Sequence, residues 1–280
     1  MSIELPEAKI LAEQMEKELL GKRIKAYHLK DYERLQRIGF INKDVKAFDQ
    51  LVNGEVESII SRGNAIRVKL KNEVNLILSP EYGGEIFYHA SKNKMTEKFH
   101  LKIDFNDDTA LTVRLISMGG IYVLKDNDLM HSYVFRRDFN PEILSPVDEE
   151  FTFERFSKLL VNNSRALKSV LVGKDAVVVG LSNSAFQDII YRARLHPKRK
   201  ASDLSADERR ALYDAIRHVL RERIRLNGKD QFFDLYGNKG GYIPSMGPNK
   251  KQQKCPACGT PIEKLSVGGG QVFFCPKCQV

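Results

Sequence analysis

Four cysteines, all within the last twenty-six residues, have the types and spacing that speak most directly of chemistry. They form two Cys-x-x-Cys knuckles, Cys255-Pro-Ala-Cys258 and Cys275-Pro-Lys-Cys278, separated by sixteen residues. Two such knuckles bring four sulfurs to the corners of a tetrahedron, the geometry a structural zinc ion prefers. Between them, Val267-Gly-Gly-Gly270 supplies a turn and Gln271-Val-Phe-Phe274 a strand returning to the second knuckle, the layout of a zinc ribbon. Two disulfides, or a redox pair, are the competing readings. No secretion signal precedes the chain and no cysteine lies elsewhere in it, and both facts argue against them. Four thiolates leave no open coordination position, so one Zn2+ is expected here in a structural role.

Composition points to the partner. The net charge is +9 and the isoelectric point about 9.2, which suits a polyanion and a salt-dependent affinity. The distribution is more telling than the total. Arg192, Arg194, Lys198, Arg199, Lys200, Arg209, Arg210, Arg217, Arg221, Arg223 and Arg225 crowd one stretch, and Lys250-Lys251 with Lys254 leads into the ribbon. No run approaches the roughly eighteen apolar residues of a membrane span, so no membrane is expected as a partner. The chain reads as a cytoplasmic protein of a reducing compartment. It carries no Walker-type phosphate loop, dinucleotide fingerprint or serine elbow, and its histidines lack metal spacing.

The elements that must position these residues follow from periodicity. Residues 6–20 have helical spacing, with Ile10, Leu11, Met15 and Leu19 on one face and Gly21 as a stop. Short alternating or β-branched runs then follow at 56–60, 66–70, 74–78, 85–88, 100–105, 110–115 and 121–123, broken by Asn-Gly, Arg-Gly and Gly-Gly turns. Seven strands at this spacing predict a β-sandwich or barrel with the first helix packed on it. Pro141 and Pro146 mark a linker. Helical spacing resumes at 153–161, 164–172, 184–193 and 207–225, the last ending at Asn227-Gly228. The fold class is α+β: an N-terminal helix with a β-sandwich domain at 1–140, a helical domain at 150–228, and a linker or lid with the zinc ribbon at 229–280. Before the third of these helices, an apolar, strand-like connection from Asp175 to Gly180 leads to Ser182-Asn183. Backbone N–H groups at such a helix start can bind an anion, although a routine helix cap reads equally well.

At this point the residues carry a resemblance over nearly the whole chain. The stretch Leu167-Lys168, Gly180-Leu-Ser-Asn183, Tyr191-Arg-Ala193, His196-Pro197, Ala201-Ser202 and Leu204-Ser205 resembles the helix–two-turn–helix segment of the formamidopyrimidine-DNA glycosylase / endonuclease VIII family. The terminal knuckles resemble that family's zinc finger, and Glu4-Leu5-Pro6-Glu7 is similar to its N-terminal signature. The resemblance implies a DNA-repair architecture, with double-stranded DNA in a cleft between the two halves and a damaged nucleotide flipped out of the stack. Lys168 and Asn183 match positions that grip phosphates beside the lesion. Family members attack the sugar C1′ with the amine of the residue after the initiator methionine, usually proline, and then eliminate the strand. Glu4 matches the glutamate working beside that amine as general acid/base, and Glu7 the one that helps position the site. A pair of acids favoured by a helix dipole is the bland alternative for both.

The match has departures. Anchored on Glu4-Leu-Pro-Glu7, Ile3 takes the proline position, and Ser2 stands one residue, about 3.5 Å of chain, further out. Ser2 and Ile3 are thus the candidate amine positions. Asn64 follows Arg62-Gly63 where the family has a lysine. Tyr82 occupies the position of a wedge methionine and could fill the gap left by a flipped base. Met118 replaces a second wedge and is expected to pack in the sandwich. Gly270 aligns with the zinc hairpin's arginine, leaving neighbouring Gln271 as a neutral substitute. Three readings remain: a divergent glycosylase or abasic-site lyase, a catalytically silent reader of abasic or distorted DNA, and a zinc-ribbon protein binding RNA or ribosomes. In the first two the protein acts as a monomer. The segment Gly228–Tyr242 reads equally as a lid over an extruded base and as a linker packed by its aromatics.

Overall fold

The computed structural model describes residues 3–91 and 97–280. The candidate amine position Ser2 lies outside the described residues. The chain forms two compact units, Met1–Asn140 with Leu226–Gly241, and Pro141–Arg225 with Tyr242–Val280.

The first unit opens with helix α1 (Leu5–Leu19), which starts with Pro6 in its first turn and a reciprocal capping box between Glu4 and Glu7. Its buried face, Ala8, Leu11, Ala12, Met15 and Leu19, repeats at helical spacing. Strand β1 (Ile24–Leu29) and a short helix α2 (Tyr32–Arg37) follow. Then come β2 (Val56–Arg62), β3 (Ala65–Leu70), β4 (Val74–Tyr82), β5 (Glu85–His89), β6 (Leu101–Phe105), β7 (Ala110–Arg114) and β8 (Met118–Lys125). They make two antiparallel four-stranded sheets, ordered β1-β6-β7-β5 and β2-β3-β4-β8. One core takes Ile24, Ile103, Phe105 and Val113 from the first sheet, Ile59, Val68, Leu78 and Val123 from the second, and the apolar face of α1. Phe232 and Leu235, from the returning segment 226–241, complete that core. A six-residue helix α3 (Tyr133–Asp138) lies near the unit's end. Two features depart from expectation. Strand β1 was not anticipated, because its sequence buries one residue fully and leaves the others partly or wholly exposed, with no clean alternation. Met118 does not pack in the sandwich; it is 52% exposed at the start of β8.

The second unit packs α4 (Phe153–Val161), α5 (Leu167–Leu171), α6 (Asn183–Arg192) and α7 (Ala206–Arg225). Phe156, Leu160, Leu171, Phe186, Ile190, Leu212, Ile216 and Val219 are buried among them. The residues before α6 make a single bridge, Leu144 to Val178, in place of a strand. Ser182 caps α6 by accepting the Ser184 N–H. The unit ends in the hairpin of β9 (Glu263–Val267) and β10 (Gly270–Phe274), flanked by the two cysteine knuckles.

Candidate functional site

The start of α1 carries the acidic pair. Glu4 and Glu7 are both fully buried. Glu7 Oε2 accepts the Glu4 N–H at 3.1 Å, and Oε1 accepts the Lys229 N–H at 3.2 Å. Both Glu7 oxygens therefore hold backbone, one on α1 and one on the returning segment. Glu4 Oε2 faces Lys229 Nζ at 4.0 Å, and that amine is itself buried. One residue earlier, Ile3 is buried and its backbone N–H donates to the Glu81 carbonyl at 2.9 Å.

Glu81 and Tyr82 close strand β4, where the β4–β8 ladder is irregular between Ser79 and Tyr82. Tyr82 is 40% exposed and pairs in register with Met118. Its hydroxyl has a raised pKa, chiefly through burial, with the charges of Glu4 and Glu81 adding to it. Glu81 is joined at 2.6 Å to Arg137 on α3, whose guanidinium also forks onto Asp138 at 2.8 and 2.5 Å. Burial pushes the Asp138 carboxyl up, and the Arg137 pair opposes that shift. Asp138 in turn accepts the backbone N–H of Asn64 at the β2–β3 turn. Gly63, beside it, sits in the left-handed region, and a Cβ there would stand 2.6 Å from Asp138 Oδ1. Asn64 Oδ1 is buried with no hydrogen-bond partner among the described residues. One network thus links Ile3, Glu81, Arg137, Asp138 and Asn64, with Glu4, Glu7 and Tyr82 beside it.

A second cluster forms in the other unit. Lys168 on α5 is buried, which lowers its pKa, and Nζ donates to the Val267 carbonyl at 2.5 Å. Asn183, the first residue of α6, donates through Nδ2 to the Gln271 carbonyl at 2.8 Å. Its Oδ1 is buried and has no hydrogen-bond partner among the described residues. Gly270 lies against both: a Cβ there would stand 3.0 Å from Lys168 Nζ and 3.7 Å from Asn183 Oδ1. Gln271 thus serves this cluster through its backbone, while its side chain is exposed. Gln187 fixes the register of β10 on α6 by accepting the Phe273 N–H at 2.8 Å.

The four cysteine sulfurs lie within 4.8 Å of one another, with Cys255 to Cys278 at 3.9 Å and Cys258 to Cys275 at 3.5 Å. A tetrahedral zinc with bonds of about 2.3 Å needs sulfurs about 3.8 Å apart, so the set fits one ion. The thiols' electrostatics agree. Hydrogen bonds from Thr260 hold the Cys258 thiol down to about 6, while its neighbours, Cys258 first, push Cys278 up to about 12. Four thiolates cannot share this space without a dication. The protein holds one structural Zn2+ on Cys255, Cys258, Cys275 and Cys278.

Three family models match the chain in order. They are the formamidopyrimidine-DNA glycosylase N-terminal domain at residues 3–116, the H2TH domain of the same enzymes at 143–233, and the zinc finger found in FPG and IleRS at 252–280. The chain belongs to the formamidopyrimidine-DNA glycosylase family. A formamidopyrimidine-DNA glycosylase of Streptococcus pneumoniae (strain ATCC BAA-255 / R6) is 29% identical, over 99% of this chain and 98% of the relative. The enzyme of Ligilactobacillus salivarius (strain UCC118) is 27% identical over the same shares. Among solved structures, Lactococcus lactis Fpg in complex with DNA containing an abasic site superposes with a TM-score of 0.84 at 22% identity, covering 99% of both chains. MutM (Fpg) from Thermus thermophilus gives 0.81 at 24%, covering 99% of this chain and 98% of the other. These likenesses bear on the fold. Within this glycosylase-family scaffold, the residue that sequence reasoning passed over is Lys229. Its only local signal was the Asn227-Gly228 turn before it; its partners Glu4 and Glu7 are more than two hundred positions away. Among the described residues no helix is long and apolar enough to cross a membrane.

Proposed function

We propose that the protein acts on double-stranded DNA as a glycosylase and abasic-site lyase, removing a damaged base or cleaving at an abasic nucleotide. The observation that carries this reading is the buried Glu4 carboxylate, held at the start of α1 beside an amine and an exposed aromatic. An amine attacks C1′, and Glu4 moves protons to and from the opening sugar. Glu7 positions, because both its oxygens hold backbone N–H groups. Tyr82, with Met118 beside it, fills the space of an extruded nucleotide. Lys168 and Asn183 hold phosphates flanking it, with the zinc hairpin bringing its backbone to both. The curated relatives carry the name of such enzymes, and the Lactococcus neighbour was solved on abasic-site DNA, which supports this partner. The net positive charge supports it too, and we place the protein with the chromosome in the cytoplasm, acting as a monomer.

A second reading, a silent reader of abasic DNA, is favoured by specific losses. Asn64 and Gly270 remove two cations that the family resemblance implies, and Ile3 carries a peptide nitrogen where it implies an amine. A nicking assay on duplexes with an abasic site or an oxidised base separates the two. The wild type should cleave, and Glu4→Gln should slow cleavage by about 10²–10⁴-fold with binding retained. Tight binding by the wild type without any cleavage would establish the silent reader.

A further inference from the structure

Lys229 places a buried amine directly at the acidic pair. Its Nζ stands 4.0 Å from Glu4 Oε2, and the residue is only 6% exposed. The backbone that presents it is closely held. The Lys229 N–H donates to Glu7 Oε1, and Asn227 and Gly228 on its N-terminal side take left-handed conformations. Gly240 approaches so closely that a Cβ there would stand 2.2 Å from the Lys229 carbonyl oxygen. Asp234 then clamps the loop, accepting from Asn227 Nδ2, Gln14 Nε2 and the Asn238 N–H, while Phe232 and Leu235 are buried in the core. This amine sits on a rigid mount, as a reacting group requires. A structural role alone accounts poorly for the pair, since apolar residues of similar volume commonly stabilise such a position as well or better. The nitrogen of Ile3, at the same helix start, is a peptide N–H donating to Glu81 and has no lone pair to offer.

We propose that Lys229 Nζ is the amine that attacks C1′ of an abasic deoxyribose, with Glu4 as its proton partner; this rests on the lyase reading above. The Glu4 carboxylate takes a proton from the ammonium, and the freed lone pair forms the N–C1′ bond with the ring-opened aldehyde. Glu4 passes that proton and then a second one, taken from the same nitrogen, to the aldehyde oxygen, which leaves as water, and a protonated C=N bond remains. Glu4 then removes a C2′ proton; the electron pair forms C2′=C3′ as the C3′–O bond breaks and the phosphate departs with its bonding electrons. Water hydrolyses the imine and returns the Lys229 amine. Nothing is oxidised or reduced.

The test uses the full-length protein, a duplex with one abasic site, and borohydride, which reduces the imine to a stable secondary amine. Digestion and mass spectrometry then locate the adduct. The expected result is an adduct on the peptide containing Lys229. An adduct on the N-terminal peptide would overturn the assignment and leave the lyase reading standing, whereas no adduct at all from a protein that binds the duplex would overturn both. Lys229→Arg keeps the charge and removes the attackable amine; trapping should fall by at least about 100-fold with abasic-DNA binding retained. If that variant fails to fold, wild-type protein acetylated at its N-terminus decides the matter. Retained trapping supports Lys229, and loss of trapping overturns it.

Discussion

Tyr82 and Met118 show how much one exposed position can mean. Large side chains left at a strand end, 40% and 52% exposed and opposite one another in the ladder, gain nothing from the sandwich core. Exposed Ile116 lies nearby, its side chain packed on Gly83 at the same turn. Such a tip suits insertion into a gap in stacked bases, where one aromatic contact is worth about 1–3 kcal/mol. Tyr82→Ala should therefore weaken binding to an abasic duplex by about 5- to 150-fold, leaving undamaged duplex binding nearly unchanged. Fluorescence anisotropy on matched duplexes measures this, and equal losses on both would remove the wedge role. Tyr82 could be singled out from its place after Ser79-Pro-Glu. Met118 is exposed rather than packed in the sandwich, and an apolar residue beside Gly119-Gly120 gives no local sign of which way the strand end turns.

At the scale of elements, the candidate site depends on how four pieces of chain are tied together. Arg137 on α3 bridges Glu81 at the end of β4 and Asp138, whose carboxylate holds the β2–β3 turn through Asn64. The Glu81 carbonyl in turn holds Ile3 at the start of α1. Removing the guanidinium would strand two acids, one almost wholly buried, so Arg137→Met should destabilise the protein by about 3–5 kcal/mol. Urea unfolding reads this directly; a change below about 1 kcal/mol would show that the network contributes little to holding the elements. Helix α1 and strands β2 to β8 were legible because each carries a local pattern, a 3.6 period in the helix and alternation or a β-branched apolar run in the strands, bounded by its own turn residues. The segment 226–241 was not. Its glycines and aromatics suit a lid as well as a linker, and its packing is decided by Phe232 and Leu235, buried in the core, together with the bonds of Lys229 and Asp234 to Glu7 and Gln14 on α1. Lys229 escaped notice for the same reason, since a pairing with Glu4 across such a separation leaves no local pattern. Lys168, Asn183 and Gly270, by contrast, were found in motif order, and the structure gathers them into one cluster.

For the whole molecule, the two units present different dependences. The chain passes between them after Asn140, Arg225 and Gly241, yet each buries its own apolar residues. Zinc belongs to the second alone. Around the four cysteines, Met246 and Phe273 form a small buried cluster, and the tail is pinned where Gln279 donates to the Leu195 carbonyl and Val280 to the Arg194 carbonyl. That cluster is too small to hold the ribbon without its metal, because ordering the ribbon's residues outweighs the burial of a few apolar side chains, Met246, Val272, Phe273 and Phe274. Chelation should therefore release the hairpin that brings Gly270 and Gln271 to Lys168 and Asn183. In calorimetry, the transition of the second unit should fall by at least about 10 °C while that of the first stays in place. Affinity for DNA should fall in parallel, with a shallower dependence on salt as phosphate contacts are lost. A single transition moving as one would mean that the units unfold cooperatively, and the zinc would then support the acidic pair of the first unit as well as the Lys168–Asn183 cluster of the second.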